Sequence, residues 1–244
     1  MEVSANDGVR DPRCLFVGAA TRGILRSVLF DLDGTVSDGA SGMFASLAHA
    51  CTALGLEVPA VATLRRFIGP PLTDAFAEHF NLDAAACEAA VAAYRQHYVE
   101  TGAMLSAEAF PGVPELLEQL VGAGFRLAIA TSKPEVQAEQ IVEHLGVAPW
   151  FSAVCGADLE GRRVRKADVI ARACQRLRLS STETVMVGDR EHDVLGARAH
   201  RISCIGVLWG FGERAELEAA RAAAVVEAPH ELARLLLGEH ETPR

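Results

Sequence analysis

Two aspartates stand two residues apart in the segment Asp31-Leu32-Asp33-Gly34-Thr35, directly after a short apolar run. Side chains at i and i+2 of an extended segment point to the same side, so the two carboxylates can face one site. One carboxylate can attack phosphorus and form an acyl phosphate, and the second can donate a proton to the departing oxygen and later accept one from water. The same string is also typical of a solvated turn, but its position after a buried strand favours the chemical interpretation.

A second polar segment, Thr131-Ser132-Lys133, follows another apolar run. Hydroxyl groups and backbone N–H groups that precede a helix form an anion site. Ser132 is equally well placed to cap the helix that would begin after Pro134. The two interpretations are compatible, and the sequence leaves both open.

A third candidate is Lys166, which opens a predicted helix after the basic run at residues 162–165. A lysine ammonium is a compact point charge that can neutralise a phosphate and a carboxylate nucleophile. Taken alone, the segment is also typical of a solvated basic turn.

A fourth segment brings Asp189 and Asp193 one helical turn apart after a predicted strand. Clustered carboxylates are hard oxygen ligands of the kind that Mg²⁺ prefers, although acidic residues also favour a helix N-terminus. His192 is not expected to bind such a cation, and Arg190 and Glu191 are expected to form ion pairs or to face solvent.

Apolar patterning predicts short buried strands that alternate with helices. The predicted strands cover residues 26–31, 125–130, 153–156, 184–188, 203–209 and 223–227, and the predicted helices cover residues 43–54, 114–121, 135–145, 166–177 and 230–237. This alternation predicts an α/β fold, a doubly wound, mostly parallel Rossmann-like sheet. Asp31, Thr131 and Asp189 would all lie at carboxyl ends of strands, where such sheets bind ligands.

The helical stretch after the first strand interrupts the α/β alternation and predicts an inserted domain. We expect a flexible leader at residues 1–23, a core formed by residues 24–40 and 108–244, and a helical cap at residues 41–107.

Composition limits the partners. The formal net charge is −9, whereas a DNA- or RNA-binding protein needs a basic surface, and no apolar run reaches the length of a membrane span. The six cysteines form no Cys-x-x-Cys pair, which argues against structural zinc and a disulfide framework and indicates a reducing cytoplasm. We expect a small-molecule phosphomonoester as the only partner, and a monomer or weak homodimer.

In this order, the four segments resemble the motifs of the haloacid-dehalogenase superfamily, and the resemblance spans residues 24–237. It implies that Asp31 is the nucleophile and Asp33 the general acid and base. It also implies that Thr131, Ser132 and Lys166 bind phosphate, with Thr35 and Asp193 in support. Mg²⁺ would be held by Asp31, by the backbone carbonyl of Asp33 and by Asp189. An acidic residue at the position of Asp33 is found in the phosphatase and phosphomutase branch of the superfamily, and the dehalogenases lack it.

Finer similarity concerns residues 67–72, 131–134 and 206–212, which resemble phosphoglycolate phosphatases and the closely similar bacterial 5'-nucleotidases. The motifs do not separate 2-phosphoglycolate from a nucleoside 5'-monophosphate as the substrate. Arg65, Arg66 and Gly69 are candidates for recognition of the leaving group. The alternatives are a phosphomutase acting on a sugar phosphate and a non-catalytic phosphate-binding module.

Overall fold

The computed structural model describes residues 25–159 and 162–238, so the predicted leader at residues 1–23 lies outside the described residues. Its strands are β1 Ser27–Phe30, β2 Ser37–Asp38, β3 Glu108–Ala109, β4 Arg126–Pro134, β5 Phe151–Ala157, β6 Thr184–Gly188, β7 Ser203–Val207 and β8 Ala224–Val226. Its helices are α1 Ala40–Ala53, α2 Val61–Leu64, α3 Leu72–Phe80, α4 Ala84–Glu100, α5 Val113–Gly122, α6 Glu135–His144, α7 Lys166–Leu177, α8 Glu191–Ala199, α9 Arg214–Ala219 and α10 Pro229–Leu237.

Six strands form one sheet in the order β5-β4-β1-β6-β7-β8, and every neighbouring pair is parallel. This confirms the predicted α/β class. Strand β1 lies between β4 and β6, with Phe30 level with Ile129 on one side and Val187 on the other. The residues that follow these three strands therefore meet at one edge of the sheet.

Helices cover both faces of the sheet, because successive residues of each strand point to opposite sides and both sides are apolar. Val28 and Phe30 of β1 lie in one buried cluster, whereas Leu29 lies in a second cluster on the other face. Burial on both faces is the reason why these strands appear in the sequence as continuous apolar runs.

Helices α1 to α4 form an insertion in the chain between the two-residue strands β2 and β3. These two strands pair antiparallel, with Ser37 opposite Ala109. Phe67 and Phe76 pack edge to face at 5.3 Å inside this helical unit, and Asp83 caps α4 by accepting a hydrogen bond from the backbone N–H of Ala86 at 2.8 Å. Strands of two residues are too short to leave a periodic pattern, so β2 and β3 are absent from the sequence prediction. Among the described helices, none is both long enough and apolar enough to cross a membrane.

Candidate active site

A cavity of about 550 Å³ opens where the carboxyl ends of β1 and β4 face the helical unit. From the core it is lined by Asp31, Asp33, Thr131 and Ser132, and Val91 and Tyr94 of α4 are among the residues that line it from the opposite side. Lys166, Asp189 and Asp193 are buried, and Lys166 reaches the cavity through its contact with Asp31. The structure thus brings together every residue predicted for the site except Thr35, which is described below.

Asp31 is held through one carboxylate oxygen. Its Oδ1 accepts a hydrogen bond from the backbone N–H of Leu32 at 2.7 Å and lies 2.6 Å from Nζ of Lys166. Lys166 also contacts Oδ1 of Asp193 at 2.8 Å and donates to the carbonyl of Ala130 at 3.2 Å. Burial alone would lower the pKa of Lys166, but the carboxylates of Asp193 and Asp31 outweigh it and raise the pKa. Lys166 is therefore held as a cation between two carboxylates.

Asp31, Asp189 and Asp193 form a buried acidic cluster in which one oxygen from each lies within 4.8 Å of the others. Burial raises the pKa of Asp193 to about 6, and burial, followed by the charges of Asp193 and Asp31, raises the pKa of Asp189 well above 3.8. Lys166 supplies the cluster with one positive charge against three carboxylates. The excess of negative charge is what a divalent cation would balance.

Asp189 supplies a more specific test of fit to a cation. Its Oδ2 accepts a hydrogen bond from the backbone N–H of Phe211 at 2.8 Å, whereas its Oδ1 is buried and has no hydrogen-bond partner among the described residues. An unpartnered buried carboxylate oxygen is costly unless a cation or donor meets it. An all-oxygen donor set of this kind suits Mg²⁺.

Three glycines let backbone approach Asp189 directly. A methyl group added at Gly34, Gly210 or Gly212 would overlap atoms of Asp189 or the backbone beside it, and Gly34 also has a φ of +87°, a conformation that favours glycine. Residues 206–212 stand out in the sequence only through their resemblance to phosphatases, and the glycines at 210 and 212 are typical of a turn. The fold shows that this turn closes one wall of the acidic cluster.

Asp33 has a partner that sequence reasoning missed. Oδ2 of Asp33 lies 3.0 Å from Nζ of Lys133, and the same ammonium donates to the hydroxyl of Tyr98 at 3.0 Å. Burial raises the pKa of Asp33, and Lys133 opposes that rise. The available signal was that Lys133 directly follows two predicted phosphate ligands in a chain with only one other lysine.

The hydroxyl residues occupy different positions. Thr131 is buried in the last residues of β4, and its Oγ1 accepts a hydrogen bond from the backbone N–H of Lys133 at 3.3 Å. The cap of α6 is Pro134, without a side-chain hydrogen bond, so the interpretation of Ser132 as an N-cap is wrong. Thr35 is buried outside the cavity lining, and its carbonyl accepts a hydrogen bond from Nε1 of Trp209 at 2.9 Å.

The cap residues proposed for leaving-group recognition divide into two groups. Gly69 lines the cavity, whereas Arg65 and Arg66 are exposed and do not. Arg65 instead places its guanidinium 5.9 Å from the centre of the Phe211 ring. Arg190 forms the predicted ion pair, with Glu216 at 2.8 Å, and also donates to the carbonyl of Ile68.

Comparisons with known proteins agree with this geometry. A family model described as haloacid dehalogenase-like hydrolase matches residues 28–207. The 5'-nucleotidase of Pseudomonas aeruginosa is 42% identical over 79% of this chain and 87% of that enzyme. The tyrosine-protein kinase PtkA of Mycobacterium tuberculosis is 42% identical over 76% of this chain and 62% of the kinase. The phosphoglycolate phosphatase of Xanthomonas campestris is 35% identical over 76% of this chain and 84% of that enzyme.

Among solved structures, a predicted phosphatase from Clostridium acetobutylicum matches with a TM-score of 0.85 and 37% identity, over 88% of this chain and 99% of that one. The match of the family model to most of the chain shows membership of the family. The chain therefore belongs to the haloacid dehalogenase-like hydrolase family, and it is a phosphoric monoester hydrolase similar to that family's 5'-nucleotidases and phosphoglycolate phosphatases.

Proposed function

We propose that this enzyme is a magnesium-dependent phosphatase that hydrolyses a small phosphomonoester through an aspartyl phosphate on Asp31. The observation that carries the proposal is the position of Asp31 at the cavity, 2.6 Å from the Lys166 ammonium and two residues from a second carboxylate, Asp33. A fixed nucleophile, a nearby proton donor and a compensating cation are the parts that phosphoryl transfer requires.

The proposed reaction has two steps. Oδ1 of Asp31 is occupied by two donors, so Oδ2 attacks phosphorus. The new bond from oxygen to phosphorus forms as the bond from phosphorus to the leaving oxygen breaks, and Asp33 donates the proton that the leaving oxygen takes up. Water then attacks the acyl phosphate and gives its proton to Asp33, which restores the Asp31 carboxylate and releases inorganic phosphate.

Thr131, Ser132 and Lys166 are the proposed phosphate ligands. Thr131 and Ser132 lie at the carboxyl end of β4 and line the cavity, which supports a role as donors to the phosphoryl oxygens. Lys166 would offset the charge that builds up on them. Asp193 orients Lys166 through their 2.8 Å contact.

Mg²⁺ would be held by the carboxylates of Asp31 and Asp189 and by the backbone carbonyl of Asp33. When bound, it would neutralise phosphate charge and act as a Lewis acid toward a phosphoryl oxygen. The unpartnered Oδ1 of Asp189 supports this assignment.

The proposed domains are a core of residues 24–40 and 108–244 and a cap of residues 41–107. The cap would select the leaving group. A cavity of about 550 Å³ lies within the roughly 300–1,000 Å³ range of pockets that hold drug-sized ligands. This size favours a nucleoside 5'-monophosphate over 2-phosphoglycolate, because glycolate leaves most of that volume unfilled. Arg95 of α4 lines the same cavity and is a candidate to contact the leaving group.

The charge and the cysteines of the chain bear on the partners and the surroundings of the enzyme. The net charge of −9 argues against a nucleic-acid polymer as partner, and a monomer or weak homodimer is proposed. The five cysteines in the described part of the chain are free, which supports a reducing cytoplasm.

The test is phosphate release from nucleoside 5'-monophosphates, 2-phosphoglycolate and sugar phosphates, each with Mg²⁺ and with a chelator. Asp31→Asn should abolish turnover while circular dichroism remains native, and Asp168→Asn, which changes an exposed aspartate, should retain activity. Substantial turnover by Asp31→Asn would refute the nucleophile assignment.

A rival fate of the phosphoryl group is transfer to a hydroxyl other than that of water. The similarity to a tyrosine-protein kinase and the chemistry of phosphomutases both make this the second candidate. Product analysis separates the two, because a transferase yields a new phosphate ester and a phosphatase yields free phosphate. A folded protein that gives neither product would indicate a non-catalytic phosphate-binding module.

A further inference from the structure

Lys133 joins the core to the helical cap at one buried point. It belongs to strand β4, its side chain is only 6% exposed, and its Nζ lies 3.0 Å from Oδ2 of Asp33. The same Nζ donates to the hydroxyl of Tyr98 at 3.0 Å and lies 4.6 Å from the centre of that ring. Tyr98 belongs to α4, on the other side of the cavity from the core. One ammonium group thus contacts both the candidate general acid and the cap.

The choice of lysine at this position is informative. The chain has only two lysines, Lys133 and Lys166, and uses arginine for its other permanent cations. Both lysines are buried against carboxylates of the candidate site. A compact ammonium directs separate N–H bonds at a carboxylate and at a hydroxyl, whereas the planar guanidinium of arginine favours paired contacts with one partner.

The contact distinguishes the two oxygens of Asp33. Oδ2 is bound by Lys133, while Oδ1 is buried and has no hydrogen-bond partner within the described part of the chain. Fixing one oxygen of a carboxylate fixes the direction of the other. The contact with Lys133 therefore restrains the orientation of the whole Asp33 carboxylate, which lines the cavity.

The cap end of the contact continues to the cavity. The rings of Tyr98 and Tyr94 stack with centres 5.4 Å apart, and Tyr94 lines the cavity. A continuous path of contacts therefore runs from the space for the leaving group through Tyr94, Tyr98 and Lys133 to Asp33.

We propose, building on the function proposed above, that Lys133 is a positioning residue that sets the orientation of the Asp33 carboxylate, and that Tyr98 makes this orientation depend on the position of the cap. When the cap is seated, Lys133 has both partners and the Asp33 carboxylate is directed for proton donation. When α4 moves away, Lys133 loses one of its two partners and the carboxylate is less restrained.

The test compares two substrates that differ in their need for a general acid. An alkyl phosphate requires protonation of its leaving oxygen, whereas p-nitrophenolate leaves without it. Lys133→Met should lower kcat/KM, which reports the step in which the leaving group departs, by roughly 10- to 100-fold for the alkyl phosphate and by less than about threefold for p-nitrophenyl phosphate, because a positioned general acid contributes about 10² to 10⁴-fold. The ratio of the rate for the alkyl phosphate to the rate for p-nitrophenyl phosphate therefore measures proton donation. Tyr98→Phe, which keeps the ring, should lower this ratio by about two- to tenfold, as expected for the loss of one hydrogen bond.

Ser46→Ala is the matched control. Ser46 of α1 forms a hydrogen bond with Nδ1 of His97 at 2.9 Å. The substitution therefore removes a contact within the cap, at the residue that precedes Tyr98 in the sequence, and this contact does not reach the core. Its ratio of the two rates should equal that of the wild type. An unchanged ratio in both Lys133→Met and Tyr98→Phe would overturn the inference, and Tyr98→Phe decides alone if Lys133→Met does not fold. A wild-type protein that hydrolyses neither substrate would contradict the proposed function instead.

A spectroscopic measurement tests the contact without turnover. Protein labelled with ¹³C at the lysine ε-carbons should give two side-chain resonances, and Lys133→Arg identifies them. Tyr98→Phe should shift the Lys133 resonance and leave that of Lys166 unchanged. If the Lys133 resonance does not move, Tyr98 does not govern this lysine and the inference fails.

Discussion

Removing one charge from the acidic cluster should make the metal-free protein more stable. Asp189 is fully buried, and oxygens of Asp31 and Asp193 lie within 4.8 Å of its own. At that separation two like charges repel by about 3 kcal/mol in an environment of effective dielectric constant near 20. Asp189→Asn keeps the shape of the side chain and an oxygen that can accept from Phe211, so it isolates the effect of the charge.

The magnitude follows from the neighbours. Asp189→Asn relieves two repulsions of about 3 kcal/mol each. It loses the attraction to Arg190, of about the same size as one repulsion, and roughly 1 kcal/mol from a weaker hydrogen bond. The net gain is about 2 kcal/mol, which raises the melting temperature of a chain of this size by about 4–8 °C. In contrast, Asp168→Asn on the surface should shift it by less than about 2 °C.

The pH dependence has a definite sign. Because the folded state raises the pKa of Asp189 above 3.8, the folded wild type holds this proton more tightly than the unfolded chain. Its metal-free stability therefore falls as pH rises from about 4 through the raised value. The advantage of Asp189→Asn should be small near pH 4 and largest at pH 7 to 8.

The assay is thermal unfolding in chelator and in millimolar Mg²⁺. The wild type should gain stability with Mg²⁺, by about 2.7 kcal/mol when the ion is at 100 times its Kd, and Asp189→Asn should lose most of that gain. Charge repulsion does not destabilise the metal-free cluster if Asp189→Asn melts at or below the wild-type temperature in chelator at pH 7.5, and Asp189 does not bind the ion if the variant keeps the full response to Mg²⁺.

Two further predictions concern the close contact between the backbone at Gly210 and that at Gly34, and the contact between the core and the cap. Gly210→Ala would place a methyl group against the carbonyl of Gly34 and should destabilise the protein by about 1–3 kcal/mol in denaturant titrations, whereas Gly122→Ala, with open space around it, should not destabilise it. Arg190→Met removes the hydrogen bond from the core to the carbonyl of Ile68 in the cap and should raise KM by about tenfold, equivalent to one charged hydrogen bond. Arg214→Met removes only exposed ion pairs and should leave KM unchanged, and equal effects of both arginine changes would contradict a role for Arg190 in docking.

Strand ends were the most informative feature of the sequence. Three apolar runs that end in Asp31, Thr131 and Asp189 sufficed to predict a parallel sheet with these residues at one edge, and the strand order β4-β1-β6 brings the runs side by side. Helix α7 was predicted at its observed bounds, because its apolar face has a clear period. These features depend on local periodicity and on the general rule that parallel sheets bind ligands at the carboxyl ends of their strands.

Contacts that depend on how distant segments pack could not be predicted. The bond from Lys133 to Tyr98 joins residues 35 positions apart, and nothing in the sequence indicates which face of α4 meets the core. Arg65 was considered for the leaving group from its charge and neighbourhood alone, but its helical turn directs it at Phe211. Charge identifies a candidate ligand, whereas only the fold determines which cavity it faces.

The burial of both lysines also determines how the protein reacts with common reagents. Lys133 and Lys166 are 6% and 4% exposed at their side chains, so no lysine amine lies on the surface for acylation, cross-linking or biotin coupling. Reagents that target lysine should modify the native protein slowly at these two positions and rapidly once it unfolds. The rate of lysine labelling, read by mass spectrometry, therefore reports directly on opening of the catalytic core.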